Sequence, residues 1–282
     1  MKNCLICKEK HFELIYNNTL QKCLACGFIT ANLEIDTLKL EEIYNENYFK
    51  GEEYLDYCND KNIIQKNFQN RLDYIFKKVN KSSIQSALEL GSAYGFFAET
   101  INNNINNLNY TGIDIEEKAV NYGQNILKQN LIQGNYLELK LNNNYTDVFM
   151  WDVIEHLAKP AEFINKISQE IIIGGHLYIT TGDIDSELAK RQKEKWRLIH
   201  PPTHLHYFSK KTITQLLEQN NFTIEDISYP AIKRSLKQIF YSLFILGQKP
   251  PEFIKFLYNL ISPNWSKSVN THDIMFIIAR KK

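Results

Sequence analysis

From residue 86 onward the apolar positions along the chain alternate between two periods. Short apolar runs at SALEL (86–90), YTGID (110–114), LIQG (131–134), DVFMW (147–151) and GGHLYITT (174–181) read as strands. Between them apolar residues recur at helical spacing. Phe96, Phe97, Ile101 and Ile105 follow the first run, and Ala119, Val120, Ile126 and Leu127 follow the second. Phe163, Ile164 and Ile167, opened by Pro160, follow the fourth. Ser209 is placed to cap a further helix carrying Ile213, Leu216 and Leu217. FTIEDISY (222–229) and IMFIIAR (274–280) supply two more strands. This alternation predicts an α/β fold, a Rossmann-like doubly wound and mostly parallel seven-stranded sheet with helices on both faces.

Two stretches stand outside that rhythm. Ile63, Ile64, Phe68, Leu72, Ile75, Phe76 and Val79 form a helical stripe ahead of the first run. Residues 231–268, rich in aromatics around Pro250 and Pro251, predict two inserted helices that cover a site or a homodimer surface. The longest strongly apolar stretch, IFYSLFIL (239–246), falls far short of the ~20 residues a bilayer needs. Met1-Lys2-Asn3-Cys4 runs straight into charged residues, so no leader is expected and the reading is cytoplasmic.

Composition changes this picture little. Apolar content of 44% with 23% charged residues is ordinary for a globular protein, and a formal net charge of +1 over 282 residues gives no global field toward nucleic acid or acidic membrane. The cysteines add more. Four of the five form Cys4-x2-Cys7-x15-Cys23-x2-Cys26, leaving Cys58. Two such turns present four thiolates to one ion, so residues 1–30 read as a zinc ribbon with a closed, structural Zn2+ site. Gly27 follows the second turn, where a small residue suits the bend.

The stretch LELGSAYGFFAE (88–99) leaves the first strand and opens a helix. Gly91 and Gly95 let the backbone turn sharply and approach a ligand. Glu89 precedes the turn. Asp114 ends the second strand, where an acid can accept hydrogen bonds from both hydroxyls of a ribose. Near the fourth strand, Asp152, Glu155 and His156 have the spacing of one helical face. After the fifth, HPPTHLHYFS (200–209) carries His200, His204 and His206. In such a sheet ligands bind at the carboxyl ends of the strands, so both segments overhang the expected site.

These motifs in order, E-x-G-x3-G, a strand ending in Asp, DVIEHL and GGxLxIxT, resemble the class I S-adenosylmethionine-dependent methyltransferases. The resemblance covers roughly residues 84–282, with Ala93 where the family commonly has a middle glycine. It implies a methyltransferase domain over 83–282, a linker and packing helix over 31–82, and a lid at 231–268. It also implies positions for S-adenosylmethionine. Glu89 sets the loop near the methionine amino group, and Gly91, Ser92, Ala93, Tyr94 and Gly95 wrap the methionine. Asp114 holds the ribose with Ile115 beside the adenine. Asn135 accepts from the adenine amino group, Tyr136 stacks nearby, and Asp152 and Val153 lie under the sulfonium. Tyr48 and Tyr54 resemble a segment that closes over the cofactor.

Methyl transfer from a sulfonium needs mainly alignment, and a hydroxyl acceptor also needs its proton removed. His204 is the leading expected base, His206 its rival, and Glu155 and His156 the alternative pair. Some relatives bind a divalent cation at a segment like Asp152, Glu155 and His156, a second use for those residues. The acceptor expected is a small molecule, a sugar, nucleotide-linked precursor or related metabolite. Two other readings stay open: an RNA methyltransferase docking through the ribbon, and a non-catalytic scaffold. Charge argues against RNA, since residues 31–60 hold nine acidic residues against Lys39 and Lys50.

Overall fold

Residues 4–31 are organised by two tight turns, one at each cysteine pair. In the first, the amide of Lys8 donates to Cys4 O (3.0 Å); in the second, the amide of Gly27 donates to Cys23 O (2.9 Å). Both turns end in a left-handed residue, Lys8 at φ 66° and Gly27 at φ 83°. Only the second was legible as a glycine. Three short antiparallel strands follow the first turn, β1 (Phe12–Ile15), β2 (Leu20–Cys23) and β3 (Ile29–Ala31). This computed structural model describes residues 3–33, 58, 60–141, 144–237, 239–240, 251–262 and 265–282; Tyr48 and Tyr54 lie outside them.

The apolar stripe after the linker forms helix α1 (Lys61–Lys78), which buries Ile63, Phe68, Leu72 and Ile75. Then the expected alternation begins: β4 (Ser86–Leu90), α2 (Phe96–Asn104), β5 (Asn109–Asp114), α3 (Glu117–Asn125), β6 (Leu131–Gln133), β7 (Tyr145–Trp151), α4 (Pro160–Glu170), β8 (Ile171–Gly182) and α5 (Glu187–Gln192). After the loop come β9 (His206–Tyr207), α6 (Lys210–Gln219), β10 (Phe222–Ser228), β11 (Ile232–Ser235), α7 (Glu252–Leu260), β12 (Ser266–Val269) and β13 (Ile274–Lys281). The large sheet has seven strands in the order β10-β13-β8-β7-β4-β5-β6. Strands β4 to β8 are mutually parallel, and β13 runs antiparallel between β8 and β10.

Period-2 alternation divides the core between two faces. Leu88, Leu90, Val148, Met150, Leu177, Ile179 and Ile277 lie on one side and join the cysteine turns and α4. Ala87, Phe149, Tyr178, Phe276 and Ile278 lie on the other, against Leu72, Ile75, Phe97 and Ile101. Strand order runs outward from β4 through β5 to β6 on one side and through β7 to β8 on the other, so the order reverses at β4. The carboxyl ends of β4, β5 and β7 therefore converge where a ligand of such a sheet sits.

Three elements differ from the sequence reading. The insertion at 231–268 is not closed by helices alone: β11 and β12 pair antiparallel at its base, with α7 between them. The IKRS and SKSV strands are largely polar, so no apolar period marks them. The end of the second predicted helix is also shorter, since α3 stops at Asn125 and leaves Ile126 exposed. Finally, the 200–209 loop contributes β9, which pairs with β3 and so extends the ribbon's sheet to four strands. Among the described residues no helix is long and apolar enough to cross a membrane.

Candidate active site

The turn after β4 is built on glycine geometry. The amides of Gly91 and Ser92 both donate to Ile113 O (2.8 and 3.0 Å), folding the loop across the end of β5. Gly91 sits at φ 75°, and a β-carbon there would fall 2.4 Å from Val153 Cγ2. Ala93, at φ 44°, takes the left-handed conformation that the missing family glycine would adopt freely. Its amide donates to Asp114 Oδ2 (2.7 Å), and the amide of Glu116 donates to Oδ1 (3.0 Å). Each carboxylate oxygen keeps a second acceptor position. Burial pushes the Asp114 carboxyl above the usual carboxylate range, against the amide bonds, which lower it.

These groups open into a cleft of about 190 Å3. Of the residues singled out in the sequence, Gly91, Ala93, Asp114, Ile115, Asn135, Tyr136, Asp152, Val153 and His156 line it. Its polar character is acidic. Asp114, Glu116 and Asp152 are on the wall, with neither Lys nor Arg among the described lining residues. Such a wall suits a cationic nucleoside and repels a pyrophosphate. Trp151, Leu157 and Phe163 give an apolar flank. Sequence reasoning missed Glu116, which follows the ribose-type acid by two residues and caps α3. It also missed Arg71. From α1 that guanidinium lies 4.9 Å from the Trp151 ring centre and reaches Asp152 Oδ2 at 3.3 Å.

Several expected residues sit elsewhere. Glu89 stays in the sheet layer, where it accepts from the Tyr110 hydroxyl, and burial raises its carboxyl to about 8. Ser92, Tyr94 and Gly95 are not among the residues that line the cleft, and Tyr94 packs between Phe96 and Tyr122. Asn135 lines the cleft, but its Oδ1 accepts from the Leu137 amide (3.1 Å) and its Nδ2 donates to Glu138 (2.9 Å). Tyr136 donates its hydroxyl to Glu170 (2.6 Å).

The common helical face for Asp152, Glu155 and His156 does not form. Asp152 is left-handed at φ 56°, and only a single tight turn, Ile154–His156, follows it. That geometry sends the three side chains different ways. Asp152 and His156 reach the cleft, whereas Glu155 turns inward and accepts from Thr181 Oγ1 (2.9 Å).

The 200–209 histidines are corrected too. Neither His204 nor His206 lines the cleft, and each is 5% exposed. His204 Nδ1 donates to Leu198 O (2.9 Å). His206 belongs to β9; its Nδ1 is 3.0 Å from Thr30 Oγ1, and its ring lies 5.5 Å from that of Phe28. Burial pushes the His206 pKa down to about 4. Pairing with β3, which no local pattern announced, is what draws this histidine to the ribbon. His156 is the histidine the cleft retains. Its Nδ1 donates to Thr203 O (2.9 Å), and burial lowers its pKa to about 4.

The four cysteines form a separate centre. Cys4 and Cys26 Sγ are 3.6 Å apart, Cys7 and Cys23 3.5 Å, and all four lie within 4.8 Å of one another. A tetrahedral zinc with bonds near 2.3 Å places its sulfurs about 3.8 Å apart, so the donor set fits such an ion.

Comparison with known proteins bears on the large domain. The family model described as a methyltransferase domain matches residues 59–227. No curated protein matches the chain significantly. Among solved structures, magnesium protoporphyrin IX methyltransferase from Synechocystis, with bound SAH, is 13% identical. The likeness covers 88% of this chain and 100% of that one at a TM-score of 0.55. A SAM-dependent methyltransferase from Archaeoglobus fulgidus is 17% identical, covering 87% of this chain and 100% of that one at 0.52. At such identities these structures speak for the fold. The family match runs through α1 and every strand that lines the cleft, and on it the chain belongs to the methyltransferase-domain family, as a class I S-adenosylmethionine-dependent methyltransferase.

Proposed function

We propose that the protein transfers the methyl group of S-adenosylmethionine to a hydroxyl of a small-molecule acceptor, of the sugar, nucleotide-linked or related metabolite kind. The observation that carries the cofactor reading is Asp114, tied by its two oxygens to the amides of Ala93 and Glu116 at the rim of an acidic cleft. A sulfonium is a cation, and the carboxylates of Asp114 and Glu116, with that of Asp152 partly offset by Arg71 at 3.3 Å, favour it. The acceptor enters past Trp151, Leu157 and Phe163, where His156 is the polar group offered to it. His204 and His206 are not proposed for that role, because both are packed away from the cleft.

Zn2+ is our reading of the Cys4, Cys7, Cys23 and Cys26 centre. Four thiolates complete a tetrahedron and leave no open position, so the ion holds the ribbon and takes no part in chemistry. The acidic run at 31–60, which follows it in the sequence, favours a small molecule over nucleic acid. A cytoplasmic location is consistent with thiols kept for a metal.

The test uses His156→Gln. We expect turnover with the acceptor to fall ~100-fold while calorimetric affinity for S-adenosylmethionine stays within about threefold. Near-normal turnover would remove His156 from the acceptor site. Failure of the unaltered protein to bind S-adenosylmethionine would instead sink the cofactor reading.

A homodimer through the insertion remains part of the proposal. Phe253, Phe256 and Leu260 on α7, with Trp265, are all at least 59% exposed. Spacings of three and four place the first three on one helix face. Sedimentation should show a concentration-dependent dimer that Phe256→Asp weakens at least tenfold. A monomer throughout the micromolar range would remove it.

A further inference from the structure

The hairpin at the base of the insertion sets two cations side by side. Strands β11 and β12 pair so that Arg234 lies directly opposite Lys267. Directly opposed residues share one face of the ribbon, and like charges there destabilise the pairing. Neither the Arg234 guanidinium nor the Lys267 ammonium has a hydrogen bond or ion pair among the described residues. Arg234 is half-buried and Lys267 exposed.

A third cation stands next to them. Arg197 gives one nitrogen, Nη2, to both carboxylate oxygens of Asp273, at 2.9 Å each. Its Nε and Nη1 have no partner among the described residues. Asp273 is fully buried and also accepts from Trp196 Nε1 (2.8 Å) and from the Thr271 hydroxyl. That carboxylate is already engaged on both oxygens. Burial holds the Arg234 guanidinium below its ordinary range, the charge of Arg197 lowers it further, and Asp273 opposes them. An arginine stays charged all the same, so the depression records positive charge short of a counter-charge.

These cations lie at the acceptor end of the cleft. Asp273 immediately precedes β13, whose Ile274 pairs with Gly182 at the carboxyl end of β8. Arg197 precedes Leu198, whose carbonyl accepts from His204 Nδ1 (2.9 Å), and the His204 ring is 4.5 Å from that of His156 on the cleft wall. On the other side, Asn67 of α1 holds β11. Its Nδ2 donates to Lys233 O and its Oδ1 accepts from the Lys233 amide, both at 2.8 Å. Arg71, one helical turn further along α1, reaches Asp152 in the cleft. Charge thus divides the region, acidic where Asp114 and Glu116 face a cationic cofactor and basic along Arg197, Arg234 and Lys267.

We propose that Arg197, Arg234 and Lys267 form an anion subsite that binds a phosphoryl group of the acceptor. Guanidinium forks match the oxygens of a phosphate, and a phosphoryl dianion answers several cations where a carboxylate brings a single charge. The subsite stands on its own residues; that its anion belongs to the acceptor rests on the proposed hydroxyl methylation. Of the acceptors named above, this selects the phosphorylated ones, a sugar phosphate or a nucleotide-linked sugar, with the phosphate at the hairpin and the sugar toward His156.

The test titrates inorganic pyrophosphate into the full-length protein by calorimetry, with neither cofactor nor acceptor present. We expect saturable binding with a dissociation constant on the order of 0.1 mM. Arg234→Gln should weaken it about tenfold or more, and Lys267→Gln about threefold. Because Lys267 is exposed, its variant reports on the subsite even if Arg234→Gln lowers the melting temperature. Lys233→Gln, the next residue of β11 and on its opposite face, should bind as the unaltered protein does. Absence of saturable binding would overturn the subsite, as would unchanged affinity in both the Arg234 and Lys267 variants. An equal loss in Lys233→Gln would reduce it to general charge attraction and overturn it too. Citrate serves as the carboxylate control, and binding as tight as that of pyrophosphate would overturn the phosphoryl assignment. Calorimetry with S-adenosylmethionine is a separate measurement, so a protein that binds the cofactor and not pyrophosphate loses this inference and keeps the methyltransferase reading.

Discussion

Gly91→Val should abolish S-adenosylmethionine binding, with an affinity loss of ~100-fold or more, and should lower the melting temperature by roughly 5–15 °C. Two penalties act together. The φ of 75° at Gly91 is a conformation that β-branched residues adopt only under strain, and a β-carbon would lie 2.4 Å from Val153 Cγ2. Strained backbone costs about 1–3 kcal/mol and an overpacked contact a similar amount. For a domain of this size about 1 kcal/mol moves the midpoint by roughly 2–4 °C. Binding suffers as well as stability because relief must come from moving one of two cleft walls. Either Val153 shifts with Asp152 beside it, or the Gly91–Ala93 loop shifts and breaks the 2.7 Å bond from Ala93 to Asp114. Calorimetric titration and a thermal melt on the same sample read both. Unchanged cofactor affinity would mean that this loop does not form the binding site. Gly91→Ala should show the same direction at a smaller size, since its single methyl still meets Val153.

That loop also shows how far the sequence reached. The Gly91 turn, the acid at Asp114 and the alternation of strands and helices are local patterns, and the structure has them where local patterns place them. What stayed hidden depends on long-range pairing. The sequence places His204 and His206 on a segment that overhangs the cleft, as candidate bases. Strand β9 is extended, but its partner is β3 of the ribbon, some 175 residues earlier in the chain, and that pairing turns both histidines inward. The Asp152, Glu155 and His156 spacing suggested a helix face, and a left-handed Asp152 with a single tight turn replaced it. Arg71 carried no signal, because a basic residue beside an apolar stripe is ordinary. Its reach over Trp151 to Asp152 follows only from how α1 lies across β7.

Cys23→Ser should cost about 4 kcal/mol of stability or more, at the upper end for a single substitution, because it would dismantle the proposed four-cysteine zinc centre. The ribbon does not stand apart from the catalytic domain. Cys4, Ile6, Cys23, Cys26 and Phe28 share one apolar cluster with Leu88, Met150 and Ile213. Leu20, Ile29 and Ala31 share another with Ile184, Trp196 and Tyr207. Between them, β3 holds the 200–209 loop directly: the Ala31 amide and Thr30 Oγ1 both donate to Leu205 O, at 2.8 and 2.9 Å. The Leu205 amide in turn donates to Glu155 O at 2.9 Å, next to His156 on the cleft wall. Loss of the four-thiol centre therefore reaches His156 through β3 and Leu205, while Gly91, Ala93 and Asp114 lie on other strands. The expected result is asymmetric. Metal content and melting temperature fall, turnover falls ~100-fold as the acceptor side loosens, and affinity for S-adenosylmethionine in the folded fraction changes by less than about fivefold. Equal losses of cofactor affinity and turnover would show that the ribbon supports the whole domain and not its acceptor side. Unchanged turnover after metal loss would show that the β3–β9 pairing holds without the ion.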